Sequence, residues 1–138
     1  MSLLFDEDYE ILNDSGLVYE EDEVNRYLII KNYPLQKLLY HYNDQELESA
    51  EILVVIPPNY NAGGNDMFWT YPPLKRIDGI GIPAAFDFGG GDARFHQGKE
   101  YCRWSRHYEN SSWIPKTDNI QKILGRIEWA LKNPDSQK

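Results

Sequence analysis

A single cysteine, three histidines and a shortage of basic residues set the first limits on this 138-residue chain. Cys102 alone cannot close an internal disulfide, and neither it nor the histidines fall at a CxxC or HxxxH spacing, so a disulfide scaffold and a zinc finger are excluded. Lys and Arg number 14 against 22 Asp and Glu, a formal charge of −8. Such a field opposes a surface that tracks phosphates or anionic lipid, so neither nucleic acid nor membrane is expected as a partner. No apolar run approaches about 18 residues. Met1–Glu10 carries four acids and no basic stretch, so neither a spanning helix nor a secretory signal is expected, and a cytoplasmic location is.

What is present suits one packed domain. Hydrophobic residues make up 41% and aromatics 14%, too apolar for a disordered chain. The length matches a single domain spanning 1–138, since domains usually run to about 100–200 residues. Charge is uneven: nine acids, from Asp6 to Glu23, precede the first basic residue, Arg26, making residues 1–25 an acidic segment. Residues 94–138 reverse this, with nine Lys or Arg against five acids. The acidic segment reads either as solvated surface or as a docking face for a basic partner.

Leu3, Leu4, Ile11 and Leu12 predict a first helix over Leu3–Leu12, with Asn13-Asp14-Ser15-Gly16 as its stop. Arg26–Lys31 and Lys37–Tyr42 read as strands, and Glu51–Ile56, nearly all aliphatic up to Pro57-Pro58, reads as the central one. The run Met67–Tyr71 ends a further strand at Pro72, giving an antiparallel meander over residues 26–71. Ile77–Gly98 holds six glycines and little periodicity, and is expected to be a long mobile loop bordering the reactive region. Its Gly89-Gly90-Gly91 lacks the Gly-Lys-Ser/Thr ending of a phosphate loop. The closing helix, 118–132, repeats Ile120, Ile123, Leu124, Ile127 and Leu131 on one face, with Thr117 or Asp118 as cap and Asn133-Pro134 as stop. Helices at the ends and strands between them predict an α+β fold.

Chemistry concentrates in residues 95–107, which hold Cys102, His96, His107, Ser105, Arg103 and Arg106. A thiolate is the nucleophilic form of cysteine, and neighbouring cations lower its pKa, so Arg103, Arg106 and His107 are expected to activate Cys102. The opposing reading is a small buried hydrophobe, because in a strand Cys102 shares its face with Trp104.

The order of these pieces is familiar. A strand running into Ile56-Pro57-Pro58-Asn59-Tyr60, then Pro72-Pro73, His96, Cys102 and Trp113-Ile114-Pro115 leading into Asn119–Leu124, resembles the ubiquitin-conjugating enzyme (UBC) superfamily over about residues 26–131. Asp66-Met67-Phe68, Pro72-Pro73-Leu74, Asp78-Gly79, Arg103–His107 and Trp113 are most similar to its bacterial branch, prokaryotic family E. The resemblance implies a UBC-like α+β fold and transthioesterification, in which Cys102 takes a ubiquitin-like protein from an activating enzyme and passes it to an acceptor, with no metal or organic cofactor. It further implies His107 or His96 as base, Ser105 as the residue nearest the expected spacing from Trp113, and Trp113 and Pro115 as scaffold. Two departures stand out. His96 is followed by Gln97-Gly98, so the family's Pro and its oxyanion-stabilising Asn are missing, and Cys102 lies eleven residues before Trp113. Two alternatives follow: an inactive variant of the fold that binds a ubiquitin-like protein non-covalently, and an adaptor docking through its acidic face.

Overall fold

The computed structural model describes residues 2–62, 67–106 and 112–136. The chain runs through α1 (Asp6–Ser15), β1 (Tyr19–Asp22), β2 (Tyr27–Pro34), β3 (Tyr40–Tyr42), β4 (Gln45–Glu46), β5 (Ser49–Val55), β6 (Phe68–Tyr71), β7 (Lys75–Arg76), β8 (Arg94–His96), β9 (Lys99–Trp104) and α2 (Ile120–Lys132). A six-stranded sheet has the order β1-β2-β5-β6-β9-β8, and a three-stranded one β4-β3-β7. All pairs are antiparallel. The α+β expectation therefore holds, and β5 lies between β2 and β6, inside the sheet where its aliphatic run belongs.

α1 begins later than its apolar residues suggested, because its start is set by Asp8. That carboxylate reaches back one turn to accept the Phe5 N–H at 2.9 Å. Asp6, Glu7 and Asp8 put negative charge at the positive end of the helix. Gly16 ends it at φ 78°, a left-handed position that a side chain would strain. In α2 the cap is Asn119, whose side chain accepts the Gln121 N–H at 2.9 Å, rather than Thr117 or Asp118. The five aliphatics that defined this helix are all buried, each contributing roughly 1.5–3 kcal/mol before chain entropy is subtracted.

Period-two alternation divides the main sheet into two faces. Leu28, Ile30, Ile52, Val54, Phe68 and Trp104 point to the helices and join α2 in the larger core. Ile29, Leu53, Trp69 and Tyr101 form a second cluster on the other face. The sheet curls around that face until its two edges meet. The His96 imidazole of β8 comes within 3.7 Å of the carboxylates of Glu20 and Asp22 in β1. Glu51 sits in the middle, accepting from Lys99 and Tyr101 at 2.6 Å each and pairing with Lys31 at 3.0 Å. Burial works to raise the Glu51 pKa, but these donors outweigh it and hold the carboxyl below its ordinary range.

Two expectations need correction, and one strand was not foreseen. The strand expected over Lys37–Tyr42 shrinks to Tyr40–Tyr42 and leaves the meander for the second sheet. β1 was hidden by its composition, since Tyr-Glu-Glu-Asp is poor in β-formers and is held by pairing with β2 and by the Glu20–Lys31 ion pair. Ile77–Gly98 is not structureless, because its last residues form a hairpin with β9 through Gln97 and Gly98, both at positive φ (50° and 79°). This is the backbone demanded by a tight two-residue turn.

Candidate active site

β9 fixes the position of Cys102. It pairs with Thr70 of β6 on the helix-facing side, is 1% exposed, and has its thiol 4.0 Å from the Glu100 carbonyl oxygen. Burial pushes its pKa up to about 11, the charges of Glu100 and Asp87 push the same way, and Lys75 opposes them. The cation that opposes this rise is Lys75, not Arg103 or Arg106. Arg103 alternates to the opposite face, where its guanidinium lies 4.7 Å from the Phe86 ring and 3.2 Å from Asp92. Arg106, fully buried, donates to the carbonyls of Pro83 and Ser105 at 3.1 and 2.8 Å and of Pro134 at 3.3 Å. Burial therefore holds the thiol in its protonated, weakly nucleophilic form in this geometry.

The other expected site residues do not gather around Cys102. His96 pairs with Lys99 across the hairpin and so points to the face opposite Cys102, towards Glu20 and Asp22. Ser105 is half-buried and joins through its backbone, its N–H donating to the Ala84 carbonyl at 2.9 Å. His107 lies outside the described residues.

What does surround the thiol comes from farther away in sequence. Residues 83–86 run antiparallel to the end of β9, with the Phe86 N–H on the Arg103 carbonyl at 2.9 Å and a bridge between Ala85 and Trp104. Beyond them the chain reaches the side chain of Glu100, which shares its face of β9 with Cys102. The Gly89 N–H donates to the Glu100 carboxylate at 2.7 Å, Asp87 pairs with Lys75 at 2.7 Å, and the Phe88 ring sits 6.0 Å from Tyr42 and 6.2 Å from Tyr71. Sequence reasoning missed Lys75 and Asp87, because nothing local marks two surface charges that meet only when β7 and this loop fold together. A groove of about 420 Å³ alongside is lined by His41, Lys75, Gly79, Ile80, Ala85 and Phe86. No group of three or more His, Cys, Asp or Glu suited to a metal is found among the described residues.

At the far end, the Pro-Pro turn after β5 and the Trp-Ile-Pro turn before α2 interlock. The Trp113 indole N–H donates to the Asn61 carbonyl at 2.7 Å, the Lys116 N–H donates to the Asn61 side chain at 2.6 Å, and the Asn61 amide donates to the Asp118 carbonyl. Tyr60 lies 5.8 Å from Trp113 and 5.6 Å from Phe5, ring to ring. These are the segments that carried the sequence resemblance, and here they form one packed unit. The family model of Prokaryotic E2 family E matches residues 4–134.

The chain belongs to this family.

The two helices and curled antiparallel sheet of the described residues are accordingly a UBC-like α+β fold. Neither the comparison with curated proteins nor that with solved structures gives a match. Family membership places the chain among conjugating-enzyme-like proteins, whose general partners are a ubiquitin-like protein and its activating enzyme. No described helix is long and apolar enough to cross a membrane.

Proposed function

We propose that this family member carries a ubiquitin-like modifier as a thioester on Cys102, receiving it from an activating enzyme and passing it to an acceptor amine. The observation that carries the reading is the family match over residues 4–134 in a chain with one thiol, which sits in the strand leading toward Trp113. In the first step the Cys102 thiolate attacks the thioester carbonyl and the activating enzyme's sulfur leaves as thiolate; in the second an amine attacks and Cys102 leaves. The Cys102 proton goes to a base, for which His107 is five residues away in sequence. His96 does not serve unless β8 turns over, and Ser105 acts through its backbone. Backbone N–H groups take the oxyanion in place of the missing Asn. The protein works in the cytoplasm, where a lone thiol stays reduced.

A second reading is favoured by the burial of Cys102 and its raised pKa: a non-covalent holder of the modifier. One experiment separates the two. Purified activating enzyme, ATP and modifier should give a band on this protein that reductant removes, and Cys102→Ser should abolish it or replace it with a reductant-resistant oxyester while the melting temperature barely moves. Modifier bound with no covalent band would select the non-covalent reading. Unaltered transfer by folded Cys102→Ser would remove Cys102 from the mechanism and leave Ser105 and His107 to be changed next.

A further inference from the structure

Residues 83–92 divide into parts held in different ways. The first part, Pro83–Phe86, is bound to β9 by backbone hydrogen bonds and to Arg106 through Pro83. The far end is anchored as well: the Asp92 carbonyl accepts the Trp69 indole N–H at 2.8 Å, and its carboxylate pairs with Arg94 and Arg103. Between these anchors, Asp87–Gly91 is held to the rest of the molecule by side-chain contacts open to solvent. Both partners of the Asp87–Lys75 pair are about half exposed (52% and 49%), and Phe88 is 42% exposed. Ion pairs in that setting contribute little. Gly89, at φ 75°, and Gly91, with open space around its Cα, keep the backbone free to swing, while Ala84 and Asp92 take left-handed angles at either side. Yet this weakly held tip is tied to the side chain of Glu100, which shares its face of β9 with Cys102, and its Asp87 carboxylate is near enough to act on the thiol, which is 1% exposed.

We propose that Asp87–Gly91 is a hinged cover over Cys102, closed at rest, and that the thiol becomes reactive when this tip lifts off β9 while Pro83–Phe86 and Asp92 stay in place. Local opening of this kind draws on segments with few buried contacts and exposed hydrogen bonds. It turns a buried sulfur into one available at a rate set by the open fraction. That the cover thereby times the charging of Cys102 rests on the thioester reading above; the cover itself does not.

The test uses dithionitrobenzoate as the thiol probe on the full chain, in the parent, in Phe88→Ala and in Gly90→Ala. Phe88→Ala removes the ring packed against Tyr42 and Tyr71. Gly90→Ala places a Cβ 2.7 Å from the Phe86 Cβ and 2.9 Å from the Asp87 carbonyl oxygen, so the tip must move. Both substitutions are uncharged, so a change in opening raises the rate across the whole pH range, whereas a change in the thiol's pKa would only shift the midpoint of the profile. The parent should label far more slowly than a free thiol, and each variant on the order of tenfold faster, with labelling nearly independent of denaturant below the unfolding transition. Parental labelling in both variants would overturn the cover, as would free-thiol reactivity in the parent or a labelling rate that follows global unfolding. Charging by activating enzyme, ATP and modifier is then measured on the same proteins. Faster labelling with no thioester would leave the cover standing and defeat the thioester reading, and normal charging with unchanged labelling would do the reverse.

Discussion

The corner around Asp8, in the first turn of α1, and the loop tip Asp87–Gly91 are held to opposite standards. Asp8 is 1% exposed, and its carboxylate accepts from the Tyr60 hydroxyl at 2.7 Å, the Ile120 N–H at 2.8 Å and the Phe5 N–H at 2.9 Å. One side chain thus joins the start of α1, the turn after β5 and the start of α2. The tip has no comparable buried polar centre among its described contacts. Charge-assisted bonds in a buried site are strong and fail together, whereas half-exposed pairs are replaced by water at little cost. Rigidity is concentrated where the turns and helices meet, and freedom is left beside the thiol.

The largest expected effect breaks the rigid side of this contrast. Asp8→Ala strands three donors, two of them backbone groups, and should cost about 3 kcal/mol or more by urea denaturation. A loss under about 1 kcal/mol would mean that the corner is not the fixed point described. Next comes Glu51→Gln, on the curled face, which should lose roughly 1–3 kcal/mol at pH 7 through weakened bonds from Lys99, Tyr101 and Lys31. Because the folded carboxyl lies below its ordinary pKa, its contribution is complete above the unfolded value and is lost as pH falls through the folded one. Parent and Glu51→Gln stabilities should therefore converge in acid, and parallel curves would sink the assignment.

Cys102 gives a smaller effect at the alkaline end. Its pKa rises from an ordinary 9.0 to about 11 because it is buried, so the native state keeps a proton that the unfolded chain releases. The resulting stability is present below about pH 9 and is lost as pH climbs towards 11, to the extent of up to about 2 kcal/mol. Half-buried Tyr9, raised to about 12, declines in the same direction in any variant. The measurement is therefore the difference between the parent and Cys102→Val: the parent should lose more between pH 9 and 11, and equal losses would mean the thiol is not shielded in solution. The smallest effect sharpens the flexible side. Phe88→Ala should cost less than about 1 kcal/mol of global stability, measured by thermal denaturation, even as it alters access to the thiol. A cost near that of Asp8→Ala would show the tip to be part of the core.

How much of this was legible beforehand depends on the range of the interactions involved. α2 was readable because its face repeats every three or four residues, and the hydrophobic period is a property of adjacent sequence. Only its cap slipped, from Thr117 or Asp118 to Asn119, where the choice depends on which side chain reaches the Gln121 N–H. β8 had a local signal in Gln97-Gly98 that was outweighed by the glycines before it. β1 had none, since an acidic edge strand exists only through its partner β2.

Local pattern was enough to set the α+β order, the aliphatic strand β5, the face of α2, and the family, through Pro57–Tyr60 and Trp113–Pro115. It also placed Cys102 and Trp104 on one face, because alternation along a strand is a covalent consequence of backbone geometry. Long-range packing settled that this face is the buried one, that His96 turns away towards Glu20 and Asp22, and that Asp87 and Lys75 join Glu100 in the field at the thiol. Besides Glu100, two residues away, the charges that act on Cys102 come from Asp87 and Lys75, 15 and 27 residues distant in the chain. No local pattern encodes which of them will arrive.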